Sequence, residues 1–282
     1  MFVWIEPPDA TLFWDGVFDV GHTLLFGGVM WLTLLCIRHL LPAFGRAPAL
    51  AFAITLILAA SSEGVQLLQP TRNPNVGDVL RDAAGALLAW LLYAAARPGV
   101  GRGSAWALRA VAVLILAGVA TQFLLVLDVY ARRDNAFPTL ARFDGSRWET
   151  RLMRLGNASL IAGRPRWFAL QPGPTAGFTV REPFPDWSRY QRLVLDVRTS
   201  ASTPVELTIR VFDRFYRGGD QNAFVRNVTI TNQQQRIEIP LNDIRLGPRR
   251  RELDLRQVRG VSLFVWRLRH PIELQLEPLR LE

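Results

Sequence analysis

Costly polar residues interrupt the most apolar part of this 282-residue sequence. Asp19 and His22 lie three residues apart, a spacing that places two side chains on one face of a helix. A neutral histidine beside a carboxylate can form an oriented acid–base pair, and a nearby arginine could clamp a phosphate. The complete set of candidate catalytic residues is Asp19, His22, Glu63, Gln66, Arg72, Asp78 and Asp82.

Four apolar segments contain or border these residues, and each is long enough to cross roughly 30 Å of hydrocarbon. They are residues 17–36, 48–69, 78–96 and 107–129. A buried helix of a soluble protein is the alternative for any one of them, but four joined by short loops favour a membrane domain. Successive spans run in opposite directions, so the start of the first, the end of the second and the start of the third share one side. We therefore predict one polar pocket on that side.

The pocket has a functional and a structural interpretation. Ionisable residues within spans are costly and usually face a partner or a wet cavity. Glu63 would lie about 9 Å inside its helix end, which favours function. Against this, Asp78 and Asp82 could simply interact with the positive end of a helix dipole, and the whole set could be a salt-bridge network. No ligand spacing demands a metal, so the sequence predicts neither a metal nor a cofactor.

The distribution of charge predicts an orientation. The N-terminal segment through Asp19 contains acids and no base, whereas loops 37–47 and 97–109 contain arginines and no acid. The positive-inside rule places such loops in the cytoplasm, and four spans then place the C-terminal half outside. Arg132 and Arg133, after the last span, argue mildly against this. The first fifteen residues lack the basic region of a cleavable signal peptide. The predicted location is the bacterial inner membrane, multi-pass, with a periplasmic C-terminal domain.

The second half of the sequence has a different pattern. Residues 136–282 contain 24 Arg and 15 Asp or Glu, which accounts for the whole net charge of +9. In "VELTIRVF", apolar and polar residues alternate, as in a half-buried strand. About eight such segments separated by turns predict an antiparallel β-sandwich. The predicted fold class is thus multi-domain α + β: a four-helix transmembrane bundle (1–130), a linker (131–142) and a β-sandwich of jelly-roll type (143–282).

The first half resembles the VanZ-like membrane family over residues 15–96. The resemblance rests on "DVGHTLLFGG" and "SSEGVQLLQPTRNPNVGDVLRDAAGAL". In that family an Asp and a His begin one helix, Glu-x-x-Gln and an Arg follow, and an Asp leads into a helix ending Asn-x-x-Gly. Here Val20 stands where Lys is common, and Asp82 where Asn is usual. The resemblance implies an envelope membrane protein linked to resistance towards glycopeptide antibiotics of the teicoplanin type, without naming a reaction.

The second half resembles the galactose-binding-like jelly rolls of carbohydrate-binding modules. The segments "DWSRYQRLVLDVRT", "VELTIRVFD" and "QRIEIPLNDI" carry this resemblance, which implies binding of a glycan or glycolipid head group. Phe264, Trp266 and Leu268 share one face of a strand, opposite Val261, Leu263 and Val265. One of these faces belongs to the core, and the other forms either a binding platform or a second packed face. The loop "FDRFYRGGDQNAFVRN" is the predicted ligand edge, with a solvated hairpin loop as the alternative. The candidate ligand-binding residues are Asp213, Arg214, Tyr216, Asp220, Asn222 and Trp266.

Three classes of function stay open. The first is an envelope membrane protein that binds a glycan or lipid head group, as a sensor or accessory subunit. The alternative is a membrane-embedded hydrolase or transferase acting on a phospho- or glycolipid head group, and the third is a purely structural ion-pair core. Nucleic acid is not a predicted partner, because no recognition motif accompanies the basic residues. The predicted partners are membrane lipid and a glycan, while the oligomeric state and any enzymatic activity stay undetermined.

Overall fold

The computed structural model describes residues 11–66 and 76–282, except for the side chains of Glu63 and Gln66. The chain divides into two compact units, residues 1–127 and 128–282. Among the described residues, long helices make up the first unit, and strands with short helices make up most of the second. The predicted succession of a helical half and a β half is confirmed.

Four long helices are found in the described residues: α1 Leu12–Leu40, α2 Ala47–Gln66, α3 Val76–Ala95 and α4 Arg102–Ala136. Thr11 caps α1, since its Oγ1 accepts a hydrogen bond from the Trp14 backbone N–H at 3.4 Å. Only α1 and α4 combine the length and apolarity of a membrane span within the described residues. The apolar stretch of α3 is shortened by Asp78, Arg81 and Asp82 in its first two turns. Two of the four predicted spans are therefore matched.

The surfaces of α1 and α4 are apolar and exposed. Leu32 is 63% exposed, Leu114 70% and Leu124 60%. A helix that is apolar on all sides belongs either in a protein core or in a membrane. Only 28% of the apolar window of α1 and 11% of that of α4 are buried, which argues against a protein core. These helices therefore indicate association with a membrane.

Helices α1 and α3 run parallel and touch closely. Side-chain contacts join His22 to Asp82 near the helix starts and Arg38 to Tyr93 near their ends. Gly27 and Gly85 lie between these contacts, and a Cβ added to Gly85 would be 2.0 Å from the Thr23 carbonyl oxygen. Such an approach needs glycine, because any side chain would occupy the space of the facing backbone.

Two antiparallel sheets make up most of the second unit. Residues 128–282, all described, contain β1 Thr139–Ala141, β2 Met153–Gly156, β3 Ala158–Leu160, β4 Trp167–Leu170, β5 Gly173–Arg181, β6 Arg192–Thr199, β7 Val205–Asp213, β8 Phe224–Ile230, β9 Gln235–Pro240, β10 Val258–Leu268, β11 Ile272–Leu276 and β12 Leu279–Leu281. The seven-stranded sheet has the order β1-β12-β6-β11-β4-β3, with β9 also paired to β6. The five-stranded sheet has the order β2-β5-β10-β7-β8. Two short α-helices, α5 Arg147–Leu152 and α6 Leu241–Leu246, and a 3-10 turn at Asp220–Asn222 also belong to the unit.

One core lies between the sheets, as expected for a sandwich. It includes Phe168 of β4, Leu195 of β6 and Leu263 of β10, together with the fully buried Trp187. On β10 the inward residues are Val261, Leu263 and Val265, so Phe264 and Trp266 point outward. Leu268 differs from the prediction and packs against the core, because the preceding Arg267 has φ 48° and interrupts the alternation.

The structure differs from the predicted linker at 131–142. Helix α4 continues to Ala136, and β1 pairs with β12. Leu140 and Ala141 are buried in the sandwich core, and the Phe137 ring stacks on Phe184 at 4.1 Å. A three-residue strand is too short to show alternation, so the sequence pattern did not reveal it.

Glu149 of α5 is a buried carboxylate that holds the turn after β1. It is 3% exposed. Its Oε1 accepts hydrogen bonds from the backbone N–H groups of Arg142 and of Phe143, the latter at 2.9 Å, and Oε2 accepts one from Asp144 at 3.0 Å. Burial raises the pKa of Glu149 to about 7, although the backbone N–H of Arg142 acts in the opposite direction.

This raised pKa predicts a pH dependence of stability. The folded chain keeps a proton on Glu149 that the unfolded chain loses near the ordinary value of 4.5. The stabilisation is complete below about pH 4.5 and is lost as the pH rises through 7, by about 3 kcal/mol in total. Denaturant unfolding of the detergent-solubilised chain at pH 5 and pH 8, with Glu149→Gln as control, measures it. Equal pH dependence in both proteins would contradict the prediction.

Candidate functional site

The candidate catalytic residues of α1 and α3 meet at the starts of these helices. His22 Nδ1 lies 2.8 Å from Asp82 Oδ1. Asp82 is 1% exposed, and its second oxygen, Oδ2, has no hydrogen-bond partner among the described residues. A buried carboxylate oxygen without a partner is costly. The pair therefore has the form of an oriented His–Asp dyad with one acceptor position left over.

Arg81 joins the remaining acids of this cluster. Its Nη2 lies 2.9 Å from Asp19 Oδ2, and its Nη1 lies 2.6 Å from Asp78 Oδ1. The prediction from the sequence omitted Arg81 from the site, although its position three residues after Asp78 on one helix face could have indicated it. The structure thus brings four of the seven predicted residues into contacts between α1 and α3: His22 with Asp82, and Asp19 with Asp78 through Arg81.

The other predicted residues of the cluster cannot be placed. Arg72 and the side chains of Glu63 and Gln66 lie outside the described residues. Within residues 11–66 and 76–282, no group of three or more His, Cys, Asp or Glu side chains is arranged to hold a metal ion. The described part of the cluster consists of mutual ion pairs and one His–carboxylate hydrogen bond.

In the second unit, Asp213 at the end of β7 is an anchor rather than a free ligand group. Its side chain is 0% exposed and forms two 2.5 Å contacts with Arg251. It also accepts backbone hydrogen bonds from Phe215 at 3.0 Å and from Asp254 at 2.9 Å. All of its oxygens are engaged, so Asp213 holds two loops together.

The rest of the predicted ligand loop is more open. Tyr216 packs beside Phe212, with ring centroids 4.8 Å apart, and the Asn222 side chain donates to the Gly218 carbonyl at 3.2 Å. Arg214 lies over the ring of Phe215 at 4.6 Å. Asp220, which is 56% exposed, pairs with Arg210 of β7. That ion pair connects the loop to the outer face of the five-stranded sheet.

A groove of about 210 Å³ runs over this outer face. Trp266 is 48% exposed there and meets Phe264 edge to face, with centroids 5.1 Å apart. The Arg210 guanidinium lies 4.9 Å from the centre of the Phe264 ring. The lining residues are Arg154, Leu155, Gly156, Thr175, Gly177, Phe178, Thr179, Arg210, Ser262, Phe264 and Trp266.

The outer face of the seven-stranded sheet is built differently. Arginines and acids alternate there in a continuous network, for example Arg192 to Glu238 at 2.6 Å and Arg236 to Glu282 at 2.9 Å. Its aromatic residue, Trp167, is flanked by arginines, with the Arg164 guanidinium 4.1 Å from its ring. The charged side chains of this surface are largely paired with one another, whereas the groove presents an exposed aromatic ring.

A wider cleft of about 700 Å³ lies between residues 188–191, 241–245 and 252–256. Its aromatic ring, Tyr190, packs against Phe137 at 5.1 Å. Arg245 and Glu252 approach each other across its wall at 3.8 Å. The cleft lacks an exposed aromatic platform, so the groove is the stronger candidate for a ligand with an apolar ring face.

The first comparison with known proteins concerns the helical unit. Residues 2–97 match the family model described as VanZ/LLP1. The predicted VanZ-like resemblance is thereby confirmed for the first unit, and the match covers about a third of the chain. No curated protein sequence matches this chain.

Solved structures similar to this chain include agarases and carbohydrate-binding modules. An exo-β-agarase is 18% identical over 51% of this chain and 25% of its own, with a TM-score of 0.39. The family 11 module of Clostridium thermocellum, in complex with a β-1,3-1,4-mixed-linked tetrasaccharide, is 16% identical over 46% and 82%, with a TM-score of 0.35. The family 30 module of a cellulosomal cellulase of the same organism is 15% identical over 51% and 91%, with a TM-score of 0.32. The chain spans about a quarter of the agarase.

Proposed function

We propose that this is a multi-pass protein of the bacterial cytoplasmic membrane whose β-sandwich binds a glycan or glycolipid head group outside the cytoplasm. The VanZ/LLP1 match and the exposed apolar helices support membrane association. The acid-free loops 37–47 and 97–109 support their cytoplasmic location. This orientation places the helical polar pocket and the sandwich on the extracytoplasmic side.

The single observation that carries the binding proposal is Trp266 in the groove. Its indole is half exposed and meets the Phe264 ring edge to face. A planar ring beside hydroxyl and guanidinium groups suits a sugar, because one face of a sugar ring is apolar and its rim is polar. Asp220 adjoins the groove through Arg210. We therefore assign Arg214, Tyr216, Asp220 and Asn222 to the rim of the site, and Asp213 to its support.

Truncation of Trp266 tests this proposal. Trp266→Ala is expected to weaken binding to the responding polysaccharide in an immobilised panel of neutral and acidic glycans by at least about 10-fold, because stacked tryptophans contribute strongly to interfaces. Trp167→Ala is the matched control, since Trp167 lies on the opposite sheet and is flanked by Arg164 and Arg198. It is expected to change affinity by less than about 3-fold. Binding that depends equally on both residues, or on neither, would contradict the groove as the site.

A second candidate function is favoured by the His22–Asp82 dyad. A histidine oriented by a buried carboxylate can act as a general base, and Arg81 could hold an anionic head group in place of one acid. We propose that this cluster, with Glu63, Gln66 and Arg72, transfers or hydrolyses a group on an envelope phospho- or glycolipid. Tolerance to teicoplanin-type antibiotics is the cellular phenotype that the VanZ-like resemblance suggests.

Two substitutions test the catalytic interpretation. His22→Ala and Glu63→Gln are each expected to abolish antibiotic tolerance, or release of a labelled head group from membranes, at normal protein abundance. His39→Ala is the control, because His39 is an exposed residue in the last turn of α1. If both cluster variants keep full function, catalysis there is untenable. If they lower abundance and paired removal of His22 and Asp82 restores it, the cluster is structural.

A further inference from the structure

The groove contains a row of four polar side chains that crosses four strands. Arg154 of β2 is in register with Thr179 of β5, Thr179 with Ser262 of β10, and Ser262 with Arg210 of β7. Paired residues lie on the same face of a sheet. Neighbouring strands are about 4.8 Å apart, so the two arginine Cα atoms are roughly 14 Å apart. Their long side chains can therefore reach over the two hydroxyls from opposite sides.

The charge of this row is not balanced within the groove. The lining contains Arg154 and Arg210 and no acidic residue. Arg154 is exposed and has no ion pair among the described residues, while the buried Nε of Arg210 has no hydrogen-bond partner among them. The ion-pair partner of Arg210 is Asp220, which lies in the loop and does not line the groove. On the opposite sheet Arg192 and Arg236 are paired with acids, so the outer faces of the two sheets differ in this respect.

The floor of the row is suited to close contact with a polar ligand. Thr179 Oγ1 and Ser262 Oγ are 2.8 Å apart, and either hydroxyl can be the donor. Gly156 and Gly177 are paired beside them and carry no side chains. Gly177 must remain glycine, because an added Cβ would lie 2.1 Å from the Leu263 carbonyl oxygen. The ligand can therefore reach the sheet surface between the two arginines.

We propose that the groove selects acidic oligosaccharides, with one sugar ring stacked on Trp266 and a carboxylate or phosphate substituent held between Arg154 and Arg210. The proposal rests on the glycan-binding function proposed above. Trp266 lies four residues from Ser262 on β10, roughly 13 Å along the strand. A ligand that contacts both is therefore longer than one sugar. Charge-assisted hydrogen bonds from guanidinium groups are the interaction that would recognise the acidic substituent.

The test compares two ligands that share one sugar backbone and differ in charge. The detergent-solubilised full chain is titrated with oligogalacturonate and with its methyl ester, which keeps the sugar backbone and removes the negative charge. We expect the acid form to bind at least about 10-fold more tightly at low salt and to lose this advantage at high salt. Arg154→Gln is expected to reduce the acid-to-neutral ratio to less than about 3-fold. Arg192→Gln, a paired arginine on the opposite sheet, leaves the ratio unchanged.

Poly(glycerol phosphate) provides an arm in which the anion is a phosphate and no sugar ring is present. We expect poly(glycerol phosphate) to bind more weakly than oligogalacturonate and to lose this binding in Arg154→Gln. That result supports recognition of a phosphate or a carboxylate in addition to the stacked sugar ring. Binding as tight as that of the sugar acid, and independent of Trp266, would overturn the proposal in favour of simple charge attraction. If binding depends on Trp266 but the acid and neutral forms of the glycan bind equally, only the selection of acidic ligands is overturned. If no glycan depends on Trp266, the proposed function itself fails.

Discussion

Replacing Gly85 by alanine is expected to break the contact between α1 and α3. The added methyl group would lie 2.0 Å from the Thr23 carbonyl oxygen and 3.0 Å from the Gly27 nitrogen. Both atoms belong to backbone, so no side chain can rotate away, and one helix must shift. We expect destabilisation of about 3 kcal/mol, at the upper end of the range for overpacking. Loss of the folded, monodisperse chain on heating in detergent measures it.

Gly28→Ala is the matched control for this substitution. A Cβ on Gly28 meets nothing within 4 Å, and alanine has the better helix propensity. Its thermal stability is therefore expected to equal or slightly exceed that of the original chain. Gly27→Ala is intermediate, since its Cβ would lie 3.2 Å from the Gly85 oxygen. Equal stability of the Gly85 and Gly28 variants would show that α1 and α3 do not cross at this point.

Removing the Asp213 carboxylate is expected to destabilise the β-sandwich by about 3 kcal/mol. Asp213→Ala leaves Arg251 without its partner and leaves the backbone N–H groups of Phe215 and Asp254 without their acceptor. Breaking a buried pair by removing one partner is costly because the remaining charge is uncompensated. Denaturant unfolding of the solubilised chain, followed by tryptophan fluorescence, measures the change in the free energy of unfolding.

Two further variants separate this structural role from a binding role. Asp220→Ala removes a pair whose carboxylate is 56% exposed, and such pairs contribute at most about 1 kcal/mol. Asp213→Ala combined with Arg251→Met removes both charges and is expected to recover part of the lost stability. If Asp213→Ala weakens glycan binding while the unfolding free energy stays unchanged, Asp213 is a ligand residue and our interpretation of it is wrong.

The two units differ in how much of each the sequence could predict. Apolar segments of about twenty residues and strands with strict alternation show in their own sequence which faces avoid water. The helical half and the sandwich were therefore both predictable. The ends of elements were less so. Helix α4 continues past the predicted span to Ala136, because a helix can extend into polar sequence without any change in periodicity. Strand β1 has three residues and depends on its pairing with β12 rather than on its own pattern.

The candidate sites show the same division. The sequence placed Asp19, His22, Asp78 and Asp82 near one another through the alternating direction of the helices. It could not assign partners, because the pairing of His22 with Asp82 and of Arg81 with Asp19 depends on the rotation of α1 against α3. It also grouped Asp213 with the exposed residues of its loop, since nothing local distinguishes a buried carboxylate from a solvated one. Arg251, its partner, is 38 residues away.

The amino-acid sequence by itself determined the two-part architecture, the proximity of Asp19, His22, Asp78 and Asp82, and the two alternative faces of β10. These depend on composition and on periods of two or about four residues, which are local properties. Only the tertiary structure decided which face of β10 is exposed, that Trp266, Arg210 and Arg154 line one groove, and that Arg192 and Arg236 of the opposite sheet are paired with acids. Each of these depends on strand register between segments distant in the chain, and register follows from how the whole core packs.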